Sequence, residues 1–70
     1  MPPSGKSIVK ALEKAGFVTD RVKGSHHMLS HEDGRRTTVP VHRNQDTQVG
    51  LYRSVLRDVE LSDQELRDLM

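Results

Sequence analysis

The chain has 70 residues, a mass of 7.9 kDa, a formal net charge of +1 with neutral histidines, and no cysteine. That length supports one unit, residues 1–70, burying only about 60% of its unfolded surface, and the missing thiols exclude a disulfide framework or a thiolate metal site and suit a reducing compartment. No apolar run approaches the roughly 18 residues of a membrane-spanning helix, and no apolar stretch follows the first charged residue as in a signal peptide, so a cytoplasmic protein is expected.

Ser4 or Ser7 supplies an N-cap for a first helix, in which Ile8, Ala11, Leu12 and Ala15 recur at helical spacing. Val9 widens that stripe, and Gly16 stands where a left-handed C-terminal cap is wanted, which predicts a helix from about Lys6 to Ala15. From Phe17 the period changes. Phe17–Lys23 is rich in β-favouring residues and ends at the turn pair Gly24-Ser25. His27–His31 reads as a second strand and Asp33-Gly34 as a hairpin turn. Arg36–Val41 is the third strand, with Thr37, Val39 and Val41 on one face and Thr38, Pro40 and His42 on the other. Pro40 cannot donate to a ladder, so this strand belongs at an edge, as the last strand of a meander does. Asp46 or Thr47 caps a second helix whose buried stripe is Val49, Tyr52, Val55, Leu56 and Val59, with Leu51 beside it. Ser62-Asp63-Gln64-Glu65 matches a capping box and opens a short terminal helix bearing Leu66, Leu69 and Met70. The order α-β-β-β-α-α predicts an α+β fold, a three-stranded antiparallel sheet with helices on one face and the other face open to a partner or substrate.

The small net charge conceals an uneven distribution. Residues 1–43 carry eight Lys/Arg against four acids, residues 44–70 carry three against six, and all four histidines fall in the basic part. A local basic patch, rather than the total, decides phosphate contact, although a generic mixed-charge surface has the same composition. Gly24-Ser25-His26-His27 is the densest chemical feature. The histidine pair follows a turn at the start of a strand, so the two side chains point to opposite sides: His26 with Met28 and Ser30, His27 with Leu29 and His31. Each set holds one apolar residue, and parity alone leaves open which histidine is exposed. An imidazole suits acid–base work near neutral pH. RNA brings its own nucleophile, the 2′-hydroxyl, so its cleavage needs only a base, an acid and cationic stabilisation of the phosphorane. Lys23, Arg21 or Arg43 could supply the cation. Ordinary packing or surface histidines are the competing reading. No metal site is expected, because His27 and His31 stand about 13 Å apart on a strand, too far for one ion. Val39-Pro40-Val41-His42 reads as a strand terminus turning into the polar loop Arg43–Asp46. Ser25 reads as a turn residue able to help position a phosphate, and Arg53, Arg57, Asp58 and Arg67 read as solvated helix faces.

Ala15-Gly16-Phe17, Arg21-Val22-Lys23-Gly24-Ser25-His26-His27, Thr38-Val39-Pro40-Val41-His42 and Gly50-Leu51-Tyr52-Arg53-Ser54-Val55-Leu56, in that order and spacing, resemble the HicA toxin family over roughly Gly5 to Leu66. The resemblance implies a fold similar to double-stranded-RNA-binding domains and the activity of a ribosome-independent mRNA interferase, neutralised by a HicB antitoxin in a type II toxin–antitoxin pair. The family's catalytic histidine, in its Gly-Ser-His element, carries over onto His26, whereas His27 occupies a variable position and takes no catalytic role. Two departures stand out. Arg43-Asn44-Gln45-Asp46 follows His42 where many members have a glycine, and Glu60 stands where a glycine often ends the second helix.

The residues and the resemblance together lead to an endoribonuclease toxin. His26 is its general acid or base, and Lys23, Ser25, Arg21, Arg36 and Arg43 are its RNA contacts. It needs no cofactor, and its partners are mRNA and a HicB-type antitoxin. Two alternatives stand beside it. A non-catalytic RNA-binding module would use the same face to bind without cleaving, and a pure protein-interaction domain would have no RNA affinity.

Overall fold

A computed structural model describes every residue except Asn44, so that position of the polar loop lies outside the described residues. In chain order the elements are α1 (Gly5–Lys14), β1 (Val18–Lys23), β2 (His26–Ser30), β3 (Arg36–Pro40), α2 (Val49–Val59) and α3 (Asp63–Arg67). The strands form an antiparallel meander in the order β1-β2-β3, with Pro40 at the last position of an edge strand. The expected α+β architecture is therefore present, with the helices on one face of the sheet and the opposite face uncovered.

Alternation along the strands decides what the helices cover. Leu29 of β2 and Thr37 and Val39 of β3 are buried beneath α1 and α2, in a core built from Ile8, Ala11, Leu12, Phe17, Tyr52, Val55, Val59 and Leu66. In α2 the inward stripe is Tyr52, Val55 and Val59; Val49, expected in that stripe, is 52% exposed because it sits in the first turn, ahead of the sheet contact. The expected side-chain cap of α2 is also absent. Gln48 takes the N-cap position without a side-chain hydrogen bond, and Asp46 instead bridges to Ser4 while the Thr47 N–H donates to the Pro3 carbonyl at 3.1 Å. The α2 entry is thus held by the chain preceding α1 rather than by a cap of its own. Ser4 does cap α1, accepting from the Ser7 N–H at 3.2 Å, and Ser62 and Glu65 complete the expected capping box of α3. That helix ends at Arg67, so Leu69 and Met70 lie beyond it, Leu69 still packing against the core.

Both long helices end in the same hydrogen-bond pattern. The Phe17 N–H donates to Leu12 and the Gly16 N–H to Glu13; in parallel, the Leu61 N–H donates to Leu56 and the Glu60 N–H to Arg57. This pair of hydrogen bonds requires a left-handed residue after the helix. Gly16 meets it at φ 99°, but at the end of α2 the residue is Glu60, at φ 57° and ψ 40°. A Cβ in that conformation crowds the following carbonyl, at a cost of roughly 1–2 kcal/mol.

A polar clasp joins α2 to α3. The Tyr52 hydroxyl donates to Asp63 Oδ1 at 2.6 Å, and Arg67 Nε donates to the same oxygen at 2.7 Å. The two donors, Tyr52 first, hold the Asp63 carboxyl below its ordinary range, while burial and then the Asp63 bond push the Tyr52 hydroxyl up to about 12.

Two outcomes follow for stability. Glu60→Gly should raise the unfolding free energy by about 0.5–1 kcal/mol, the relieved crowding being partly offset by a freer unfolded chain, and urea unfolding should show a later midpoint with an unchanged slope. A carboxyl depressed in the folded state stabilises above its unfolded value, about 3.9 for aspartate, and that contribution is lost as pH falls through the folded value. Lowering the pH from about 5 to about 2 should therefore lower Tm, and Asp63→Asn should flatten part of that dependence, the remainder coming from Asp33 and Glu65, whose carboxyls are also held low.

Candidate functional site

The burial of Leu29, at 1% exposure, settles the orientation that alternation left open. His27 shares the helix-covered side with Leu29 and is half-buried opposite Val39, whereas His26 is exposed on the uncovered face, between Lys23 of β1 and Pro40 of β3. The next row of that face is Arg21, Met28 and Thr38, and the third is Val18, Ser30 and Arg36. His31 lies outside β2, stacked edge-on against Phe17 with ring centroids 5.1 Å apart and its Nδ1 3.1 Å from Asp33 Oδ2, so it serves the hairpin turn.

A register shift places the cations. Val18 and Thr19 pair with Ser30 and Leu29, but Arg21 pairs with Met28, leaving Asp20 as an extra residue in β1. In a strand without this bulge Thr19, Arg21 and Lys23 would share one face. The bulge breaks the alternation, so Thr19 stays with buried Leu29 while Arg21 and Lys23 turn to the side of His26. The β1–β2 turn completes the arrangement, because Gly24 adopts φ 60° at the first of two central positions while Ser25 keeps a negative φ, the signs of a type II′ hairpin.

The uncovered face is not flat. The outer flank of α2 rises beside β3, and a groove of about 750 Å³ runs between them, lined by Arg21, Met28, Arg36, Thr38, Leu51 and Ser54. Asp20 and Asp58 border the same groove; Asp58 is engaged, its Oδ2 accepting from the Thr37 hydroxyl at 3.1 Å. A smaller cleft of about 340 Å³ adjoins it, sharing Leu51, and is lined by His26, Pro40, His42, Asp46, Thr47 and Gln48 among others. The Val41 N–H donates to the Ser25 carbonyl at 2.7 Å, so the pairing of β3 with β2 continues past Pro40. Gly5 fixes this end of the sheet, since a Cβ there would lie 2.3 Å from the Pro40 carbonyl oxygen.

Of the residues expected at the site, His26, Arg21, Lys23 and Arg36 meet on one face. Ser25 is half-buried in the adjoining turn, its carbonyl occupied by Val41. Arg43 is exposed in the turn following His42, outside the strand rows. Sequence reasoning missed the presence of His42 beside His26 and the contribution of the α2 flank through Leu51 and Ser54. For His42 the reason is the hairpin loop. It has three residues, Glu32 to Gly34, with Gly34 at φ 101°, and so pairs Pro40 with His26; a two-residue turn at Asp33-Gly34 would pair His26 with Val41 and turn His42 to the opposite face. Among the described residues no three His, Asp or Glu side chains converge as metal ligands, and no helix is long and apolar enough to cross a membrane.

Among curated proteins none matches the chain. The family model described as the HicA toxin of bacterial toxin–antitoxin systems matches residues 5–61, from the first residue of α1 to just beyond the left-handed Glu60. That span holds the whole sheet, both long helices, the groove and the histidine cleft, and on it the chain belongs to the HicA toxin family.

Proposed function

We propose that this protein is a ribosome-independent endoribonuclease that cleaves mRNA with His26 as a general acid or base, and that a HicB-type antitoxin neutralises it. Family membership gives the coarser part, a toxin with a cognate antitoxin in a family known for ribonuclease activity. The observation that carries the finer part is the exposure of His26 on the uncovered sheet face, in rows with Lys23, Arg21 and Arg36. An exposed imidazole reaches a substrate without a deep pocket; Lys23, in the row of His26, can offset charge on the phosphorane, and Arg21 and Arg36, one and two rows along, can hold phosphates further along the RNA. The 2′-hydroxyl supplies the nucleophile, so the chemistry asks no cofactor of the protein. Ser25 and Arg43, at the turn and at the loop after β3, extend the proposed RNA contacts along the same end of the sheet. The cytoplasm, where mRNA is found, is the proposed place of action for residues 1–70 acting as one unit. A partner covering this face would exclude RNA, and acidic groups on it would complement the cations.

His26→Ala should lower RNA cleavage by about 10²- to 10⁴-fold and abolish growth arrest on induction, with circular dichroism reporting an unchanged fold. A folded His26→Ala protein that still arrests growth would remove His26 from the mechanism. Cleavage by the wild type should persist in EDTA; RNA binding without any cleavage would instead establish a non-catalytic module.

Salt tests the cationic face separately. With Arg21, Lys23 and Arg36 each neutralising one phosphate, log affinity for single-stranded RNA should fall against log salt with a slope of about −2, at about 0.7 per contact. Arg36→Gln should reduce that slope by about 0.7. The measurement is a titration with the His26→Ala protein, and a flat response would detach RNA binding from this face.

A further inference from the structure

His42 lines the same cleft as His26. The register pairs His26 with Pro40, and the Val41 N–H donates to the Ser25 carbonyl, so the next position of the ladder sets His42 opposite Gly24. His42 is then the diagonal neighbour of His26 on the uncovered face, a relation that separates residues by about 7–8 Å. Gly24 has no side chain to fill the corner between them, and beyond its chain neighbours no heavy atom lies within 4 Å of where its Cβ would be. Both imidazoles are exposed, and the space between them opens into the groove that carries Arg21 and Arg36.

We propose that His42 is the second proton-transfer residue of RNA cleavage, acting across the scissile phosphate from His26; this rests on the nuclease reading given above. Transesterification moves two protons. As the 2′-oxygen bonds to phosphorus, one imidazole removes the 2′-hydroxyl proton. As the bond from phosphorus to the 5′-oxygen breaks, the other imidazole delivers a proton to that oxygen. The products are a 2′,3′-cyclic phosphate and a free 5′-hydroxyl, the two histidines end with exchanged protonation states, and solvent restores them. One imidazole touching one oxygen leaves either the nucleophile or the leaving group unassisted, whereas two imidazoles lining one cleft can serve both. Lys23 beside His26, Arg43 next to His42 and Asp46 on the cleft wall are the charged groups facing the pair, and α2 presents the neutral Gln48 and Leu51.

The test is single-turnover cleavage of an RNA oligonucleotide by the intact protein in EDTA, measured across pH for the wild type, His26→Ala, His42→Ala and His42→Gln. The wild type should show a bell-shaped profile with two limbs. Both His42 variants should retain the fold and RNA affinity, lose about 10²- to 10⁴-fold in rate, and lose one limb of the profile. A His42 variant that cleaves at the wild-type rate, or is slower at every pH with both limbs intact, overturns the assignment. If the wild type is active and His26→Ala is dead while His42→Ala is unaffected, only this inference fails. If the wild type does not cleave RNA, or His26→Ala cleaves normally, the nuclease reading itself fails and takes this one with it.

Discussion

The burial of Leu29 is the constraint on which the rest of the site depends. β2 is the central strand, with a neighbour on each side, and its alternation is pinned at one residue by the helices. Slipping β2 by one position would expose Leu29, losing about 1.5–3 kcal/mol, and would bury His26, Met28 and Ser30 instead. An unpaired Ser30 hydroxyl alone would cost about 1–3 kcal/mol more. For a domain of this size, whose whole stability is on the order of 5–10 kcal/mol, the register is therefore strongly chosen. The exposure of His26 is a by-product of packing a leucine three residues away.

The bulge at Asp20 has the same standing for the cations. A regular β1 would turn Arg21 and Lys23 to the side of Thr19, away from His26. Placing the extra residue between Thr19 and Arg21 lets β1 contribute Thr19 to the covered side and both cations to the open one. One inserted residue thus decides which face the two cations occupy. The net charge of +1 is a poor guide to this surface, because the acids of residues 44–70 lie on or beside α2 and α3 and in the loop before them, Asp58 and Asp46 reaching the groove and the cleft, while Arg21, Lys23 and Arg36 share one face of the sheet.

What the sequence made legible was whatever depends on local chemistry. Ser4, Gly16, Gly24, Asp33-Gly34 and the Ser62–Glu65 capping box each act within a few residues, and each appears where its neighbours predict it. The elements and their order follow from these, and the meander from Pro40. Less legible were features requiring two distant segments at once. Val49 carries the same helical periodicity as Tyr52 and Val55, but its exposure depends on where α2 first meets the sheet. Asp46 and Thr47 are good capping residues diverted by the approach of Pro3 and Ser4. The bulge leaves no signature in Thr19-Asp20-Arg21, and the cleft between His26 and His42 appears only once the ladder is counted through from its turn.

Gly5 and Glu60 show why the site end of the molecule tolerates less change than the far end. At Glu60 the demand is conformational: an unbranched residue can enter the left-handed region at a modest cost, and here the chain accepts it where a glycine would be easier. At Gly5 the demand is spatial. The atom that a Cβ would strike is the Pro40 carbonyl oxygen, and Val41 Cα stands behind it at 3.0 Å, so relief requires moving backbone rather than rotating a side chain. Moving it would separate the start of α1 from the end of β3. The segment displaced is the one that carries Pro40 to His42, one wall of the cleft opposite His26. The close approach of helix and strand at Gly5 therefore belongs to the site as much as to the core: it fixes the backbone of Pro40 and Val41, and with it the segment that leads to His42.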